Sequence, residues 1–250
     1  MPKEIRIGDE ILYRYPSEGS APLVDCYAEC EQAGLVVASG KYIAKLRATY
    51  NETDSPAWKY LKGFTSSIAG IGCLDSQPMI VVAHTNHPLM TSDVIRKFKA
   101  DHQRKPYLYG IILHQEEVLD VINRYRNVET PTSDIFVLEG PSATSLILGD
   151  TVDATIDETK RTLLRPYLGD NRILEDYLKG LNNNHRMSGG RNTLLPIGAF
   201  LSMENFINNY LTFNHLWFGN YQIRGDLDGE LHRESFFRYD SCVFGIKPKR

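Results

Sequence analysis

The chain has 250 residues, of which 42% are hydrophobic and 24% charged, and this composition is typical of a globular protein rather than a disordered one. Its formal net charge of -3 provides no general attraction to nucleic acid or anionic lipid, so we expect a small-molecule ligand and neither a membrane nor a nucleic-acid partner. The N-terminus lacks the apolar core of a secretory signal, and the four cysteines are scattered, so we expect a cytoplasmic protein with reduced, packed thiols.

The N-terminal part, residues 1–77, carries both helix and strand signals. The segment PLVDCYAECEQA is apolar at helical spacing and is followed by Gly34, which favours the end of a helix, so a helix is predicted there. The stretches LVVA and KYIAKLRATY flank Ser39 and Gly40. They are predicted to form two strands joined by a tight hairpin turn. We therefore expect an α+β unit beside the main sheet.

Three short apolar runs rich in β-branched residues mark the middle of the chain, residues 78–180: PMIVVA, YLYGIIL and DIFVLE. Two stretches with helical periodicity separate them, TSDVIRKFKADHQRK and QEEVLDVINRYR. Successive predicted strands begin just under about thirty residues apart, which is the length of a strand–helix–strand crossover. The sequence therefore predicts a βαβαβ core in an α/β fold, with a mainly parallel or mixed sheet covered by helices.

The last part, residues 181–250, is rich in aromatic residues and is predicted to add strands that extend or cover the sheet. We expect residues 1–250 to form a single domain, which could be subdivided into 1–77, 78–180 and 181–250. The aromatic residues from Phe206 to Tyr221 are expected to lie in the core. A competing hypothesis makes this part the interface of a homo-oligomer, with structural histidines.

Polar residues follow each predicted strand of the core. In an open parallel sheet, ligands bind at the carboxyl ends of the strands, where the connecting segments converge. We therefore expect one site at this edge of the sheet. The polar residues expected there are His84, Asn86, His87, His114, Glu116 and Glu139.

The leading hypothesis is an enzyme of the hydrolase or lyase type that acts on a small polar, anionic substrate. His84, His87 and Glu139 would be the catalytic residues, because imidazole exchanges protons near neutral pH and a carboxylate can orient it. In one version His84, His87, His114 and Glu116 hold a divalent metal such as zinc or manganese, although no HExxH motif is present. The alternative is that the histidines are hydrogen-bonded within the fold.

Anion-binding features lie farther along the chain. The segment EGPSATS joins a predicted strand to a predicted helix, and its amides and hydroxyls suit a phosphate or carboxylate. Two arginines in a glycine-containing segment could clamp the same anion. The residues expected to contact the substrate are Asn86, Gly140, Ser142, Thr144, Arg186 and Arg191. The same residues support a second hypothesis, a non-catalytic module that binds a nucleotide or a phosphorylated metabolite.

Overall fold

The computed structural model of the chain describes the following residues: 2–75, 77–84, 111–114, 116, 119–120, 135–139, 152–153, 168, 171–185, 194–195, 210–218, 221–223, 226–228, 231–234 and 242–248. The helices predicted over 91–105 and 115–126 fall outside these residues, except for 116, 119 and 120. No helix in the described part of the chain has the length and apolar character needed to cross a membrane.

Strands account for most of the described elements. They are β1 (Lys3–Ile7), β2 (Glu10–Tyr15), β3 (Val36–Val37), β4 (Gly63–Leu74), β5 (Gln77–Ala83), β6 (Ile111–His114), β7 (Ile135–Glu139), β8 (Val152–Asp153), β9 (Leu194–Leu195), β10 (Tyr210–Phe218), β11 (Tyr221–Ile223), β12 (Asp226–Asp228), β13 (Leu231–Glu234) and β14 (Val243–Ile246). The described helices are α1 (Leu23–Gln32), α2 (Gly40–Thr49), α3 (Pro56–Tyr60) and α4 (Asn171–His185).

Two long antiparallel strands, β4 and β10, form the centre of the main sheet. At one end of this pair the sheet continues in the order β1-β2-β14-β4-β10-β13. At the other end β5 replaces β14 beside β4, and β6 replaces β13 beside β10. Since β7 pairs with β5, this second half of the sheet has the order β7-β5-β4-β10-β6. A smaller sheet has the order β11-β12-β9-β8.

The predicted α/β fold with a mainly parallel or mixed sheet covered by helices is wrong, because the described residues form a strand-rich mixed sheet with few helices. β5 pairs antiparallel with both β4 and β7, and β6 pairs antiparallel with β10. Among the described strands, the parallel pairs are β4 with β14 and β9 with β12, each with one registered residue pair. Periodicity indicates which segments are strands, but β7, which pairs with β5, and β10, which pairs with β6, come from distant segments of the chain. The spacing of the apolar runs therefore could not reveal the direction of pairing.

The helix predicted before Gly34 is confirmed as α1. The amide of Gly34 donates to the carbonyl of Glu31 at 2.9 Å, and that of Leu35 donates to Cys30 at 3.1 Å. This pair of bonds is the Schellman arrangement, which needs a left-handed residue just after the helix, and Gly34 has a φ of +69°. Glycine adopts this φ without strain, so the sequence signal for the helix end was physically sound.

Residues 40–49 form α2, so the prediction of a strand after a Ser39-Gly40 hairpin is wrong. Ser39 is the N-cap of the helix: its side-chain oxygen accepts a hydrogen bond from the Tyr42 amide at 3.2 Å. Such a bond satisfies one of the free amides of the first helical turn. The buried positions of α2 fit helical spacing, because Gly40, Ile43 or Ala44, and Arg47 or Ala48 recur three to four residues apart. The buried apolar side chains are Ile43, Ala44, Leu46 and Ala48.

The few described helices pack against the main sheet from two sides, α1 on one and α2, α3 and α4 on the other. The side chains of β5 alternate between two core clusters: Ile80 and Val82 pack with α2, α3 and α4, whereas Val81 packs with α1. Because successive side chains of a strand point to opposite faces, the two clusters lie on opposite sides of the sheet. In the first cluster, Trp58 is buried and donates from its indole nitrogen to the carbonyl of Arg47 at 2.9 Å.

Candidate functional site

His84 lies directly after β5 and makes a buried contact with Ser67 of β4. Its Nδ1 is 2.7 Å from the Ser67 hydroxyl, and that hydroxyl also accepts a hydrogen bond from the Gly40 amide at 2.7 Å. The ring of Phe136 meets the imidazole edge-on, with 6.0 Å between ring centroids. The end of β5 is thereby joined to the middle of β4 and to the first residue of α2.

A run of hydroxyl residues in the middle of β4 makes these contacts possible. The Thr65 hydroxyl donates to the carbonyl of Leu216 at 2.9 Å, and the Ser66 amide donates to Ala38 at 3.0 Å. Gly40 allows α2 to begin close against β4, because a Cβ at this position would lie only 3.2 Å from the Ser67 hydroxyl oxygen. These residues therefore set the position of the N-terminus of α2 over the sheet.

A serine hydroxyl beside an imidazole could be activated as a nucleophile if substrate could reach it. Ser67 is 0% exposed and His84 is 5% exposed, and the serine oxygen accepts a hydrogen bond from the Gly40 amide inside the fold. Buried polar groups in proteins are normally hydrogen-bonded to one another, and this pair satisfies that requirement. The geometry therefore favours a structural role for His84 over the predicted role in proton transfer.

A second buried histidine, His215 of β10, was not among the predicted site residues. Its Nδ1 lies 2.7 Å from the carbonyl of Thr65, and because a carbonyl can only accept, the imidazole must donate. The Tyr27 hydroxyl lies 3.0 Å from both groups. Burial lowers the pKa of His215 from 6.5 to about 4, so the ring is neutral at pH 7. The aromatic residues around it in the sequence predict only a hydrophobic core, and nothing in the sequence singles out this histidine.

The register of β5 and β7 places His84 and Glu139 at opposite ends of the strand pair. Ala83, which precedes His84, is opposite Ile135, whereas Glu139 is opposite Met79. At about 3.3 Å per residue, Met79 and Ala83 are roughly 13 Å apart along β5. A parallel pair would have put both side chains at one edge, so the predicted meeting of His84 and Glu139 does not occur.

His114 is the last residue of β6, which lies on the opposite border of this half of the sheet from β7. The three intervening strands separate β6 from β7 by roughly 19 Å at about 4.8 Å per step. Glu116, two residues later, is exposed. The structure therefore does not bring His84, His114 and Glu139 together. No group of three or more histidine, cysteine or acidic residues within the described ranges is arranged to hold a metal ion.

Several predicted residues lie outside the described part of the chain, and their roles stay predictions. They are Asn86, His87, Gly140, Ser142, Thr144, Arg186 and Arg191. The described elements nevertheless fix where two of these segments begin. Gly140 follows the last residue of β7, and Arg186 follows the last residue of α4.

The interface hypothesis for the aromatic C-terminal part finds no support in β10. This strand is paired on one edge with β4 and on the other with β6 and β13. Leu211, Leu216 and Phe218 are buried. Strand β10 therefore lies inside the sheet, and the interface hypothesis stays a prediction.

The four cysteines are free and buried, as expected from their scattered positions. Burial raises the pKa of the Cys26 and Cys30 thiols to about 12. At neutral pH both are therefore uncharged thiols, and thiolates are the form that attacks substrates or binds metals. The prediction that these are small packed residues is confirmed.

No known protein family and no curated protein matches the chain. A solved structure described as "Accommodation of massive sequence variation in Nanoarchaeota by the C-type lectin fold" is similar to it, with a TM-score of 0.60. The likeness covers 96% of this chain and 100% of that chain at 14% identity, so it concerns the fold alone. It agrees with the mixed, strand-rich sheet. The parallel α/β framework is therefore wrong, and the described residues give no support for the hydrolase, lyase and metal-binding classification that was built upon it.

Proposed function

We propose that the protein is a non-catalytic binding module. A strand-rich framework resembling the C-type lectin fold holds chain segments that contact a small anionic ligand, such as a nucleotide or a phosphorylated metabolite. The observation that supports this proposal most directly is the burial of the hydrogen-bonded Ser67–His84 pair. The histidine expected to move protons is 5% exposed and hydrogen-bonded to a serine hydroxyl inside the fold.

Acid–base catalysis needs a base within hydrogen-bonding distance of the substrate and, in the predicted scheme, a carboxylate beside it. His84 faces Ser67 instead, and Glu139 sits at the far end of the strand pair. Binding needs neither group. It needs a rigid frame and correctly placed hydrogen-bond donors, and the mixed, mainly antiparallel sheet with its packed helices provides such a frame.

The proposed ligand-binding residues adjoin two anchored elements. Gly140, Ser142 and Thr144 continue directly from β7, which is paired along its full length with β5. Arg186 continues from α4, whose residues pack in the core with those of α2. Backbone amides, hydroxyls and guanidinium groups are the donors that phosphate oxygens accept most readily. Both segments would therefore begin at elements of the fold that are held in place, β7 by strand pairing and α4 by core packing.

The similar structure also supports the proposal that the sheet of this chain acts as a framework. It is described as accommodating massive sequence variation, and we propose that the sheet of this chain likewise tolerates diverse inserted segments between its strands. We also expect the module to act in the cytoplasm, since its cysteines are free and buried rather than paired.

Thermal unfolding with ATP or inorganic phosphate as the probe tests the proposal. At a hundredfold excess over Kd, binding stabilises a protein by about 2.7 kcal/mol, which for a chain of this size raises Tm by roughly 5–10 °C. The double variant Arg186→Ala/Arg191→Ala should lose that shift. The charge-matched control Lys59→Ala/Lys179→Ala removes two exposed lysines and should keep it.

Two results would overturn the proposal. One is the absence of a Tm shift with either probe in the unaltered protein. The other is turnover: phosphorus NMR of ATP incubated with the protein should show no new species, and steady formation of product would identify an enzyme. The second result leaves binding intact, so the two failures are distinguishable.

A further inference from the structure

β1 forms a border of the main sheet: within the described ranges it pairs with β2 and with no other strand. Ile5 and Ile7 are buried in the core cluster that includes α3. Glu4 and Arg6 point to the opposite face, where their side chains are 42% and 71% exposed and form an ion pair of 2.7 Å. An open border strand presents backbone donors and acceptors that another strand can use.

The hairpin geometry shows which backbone groups face the open side. A two-residue turn, Gly8-Asp9, joins Ile7 to Glu10, and Gly8 has a φ of +57°, as the first central position of a type II′ turn requires. In such a hairpin the residues flanking the turn exchange backbone hydrogen bonds, and alternation then directs Ile5 toward β2 as well. The amides and carbonyls of Glu4 and Arg6 consequently point away from β2.

We propose that a second copy of this chain pairs with that border, antiparallel and centred on Ile5. This register sets Glu4 of each copy opposite Arg6 of the other, so each such pair exchanges backbone hydrogen bonds and joins opposite charges. Cross-strand pairs of opposite charge stabilise a sheet, whereas like charges placed opposite each other destabilise it. The two Ile5 side chains meet at the symmetry axis and join the two cores.

The sequence KEIRI selects this arrangement over its neighbours. Centring the pair on Glu4 would set two glutamates opposite each other, and centring it on Arg6 would set two arginines opposite each other. Parallel pairing in register would likewise align equal charges. The self-complementary order of Glu4, Ile5 and Arg6 therefore favours a closed, twofold-symmetric dimer. This inference is independent of the proposed ligand binding.

Sedimentation equilibrium over a range of concentrations at low salt tests the proposal. The unaltered protein should shift from 28.4 kDa toward twice that mass as concentration rises. Glu4→Arg or Arg6→Glu alone should weaken the dimer by at least about tenfold, because each sets like charges opposite each other on both sides of the axis. The double variant Glu4→Arg/Arg6→Glu restores opposite charges and should restore dimerisation.

A backbone control separates strand pairing from simple charge attraction. Arg6→Pro removes the outward amide of residue 6 but leaves the bonds to β2, since proline is tolerated where a border strand faces solvent. It should abolish the dimer while circular dichroism shows an unchanged fold. The proposal is overturned if the unaltered protein stays at 28.4 kDa at its highest soluble concentration, or if the double variant behaves like the single ones.

Discussion

Replacing His84 with alanine distinguishes a structural histidine from a catalytic one. The change removes a 2.7 Å hydrogen bond to Ser67 and a ring that is 5% exposed. A lost hydrogen bond costs about 1 kcal/mol, and the cavity left by a buried side chain costs about 1–3 kcal/mol more. We therefore expect the free energy of unfolding to fall by about 2–4 kcal/mol, which lowers Tm by roughly 5–15 °C.

Differential scanning calorimetry measures this loss directly, and His84→Asn is its matched control. The asparagine amide can occupy the position of Nδ1 and keep the bond to Ser67, but it cannot exchange protons near neutral pH. We expect His84→Asn to lose less than half as much stability as His84→Ala. A Tm of His84→Ala within about 1 °C of the unaltered protein would refute the structural role and revive the acid–base hypothesis.

Three further outcomes follow from the buried core. Gly180→Ala should lower the free energy of unfolding measured in urea, because a Cβ at this position would lie 2.7 Å from the Trp58 ring. Overpacking costs about 1–3 kcal/mol, which exceeds the gain in helix propensity of about 1 kcal/mol. A net gain in stability would contradict that contact. His215 has a pKa of about 4 when folded against 6.5 ordinarily, so the unfolded chain takes up the proton first, and stability present above pH 6.5 is lost as pH falls toward 4. That loss in the free energy of unfolding should reach roughly 3 kcal/mol in the unaltered protein and should be absent from His215→Gln. If the free energy of unfolding falls equally with pH in both proteins, the prediction is refuted. Ellman's reagent should label Cys26 and Cys30 only after unfolding, because burial raises the pKa of both thiols to about 12, and rapid labelling of the folded protein would show that they are accessible.

Local signals in the sequence were sufficient where a single segment determines its own structure. The left-handed residue after α1 is encoded by Gly34, and the strands β5, β6 and β7 are encoded by short β-branched runs. Ser39 shows how such a signal can be misassigned. Serine and glycine suit both a hairpin turn and a helix start, and only the burial of one face of α2 distinguishes the two.

Strand partners could not be derived in the same way, since they depend on contacts between distant segments. The intervals from β5 to β6 and from β6 to β7 each fit a parallel crossover in length, yet β7 pairs antiparallel with β5, and β6 pairs with β10 at the opposite border of this half of the sheet. The candidate site assumed that β5 and β7 run parallel. Because they run antiparallel, its residues lie at different ends of the sheet. The contact of His84 with Ser67 depends instead on a local pairing, since β4 and β5 are consecutive strands joined by a short connection.

The pairing of β5 with β7 is tested most directly by nuclear Overhauser effects between backbone protons in isotopically labelled protein. The antiparallel register predicts cross-peaks between Ala83 and Ile135 and between Met79 and Glu139. Cross-peaks joining Ala83 to Glu139 instead would establish a parallel pair. They would bring His84 and Glu139 back to one edge of the sheet, and the framework proposed for this protein would be contradicted.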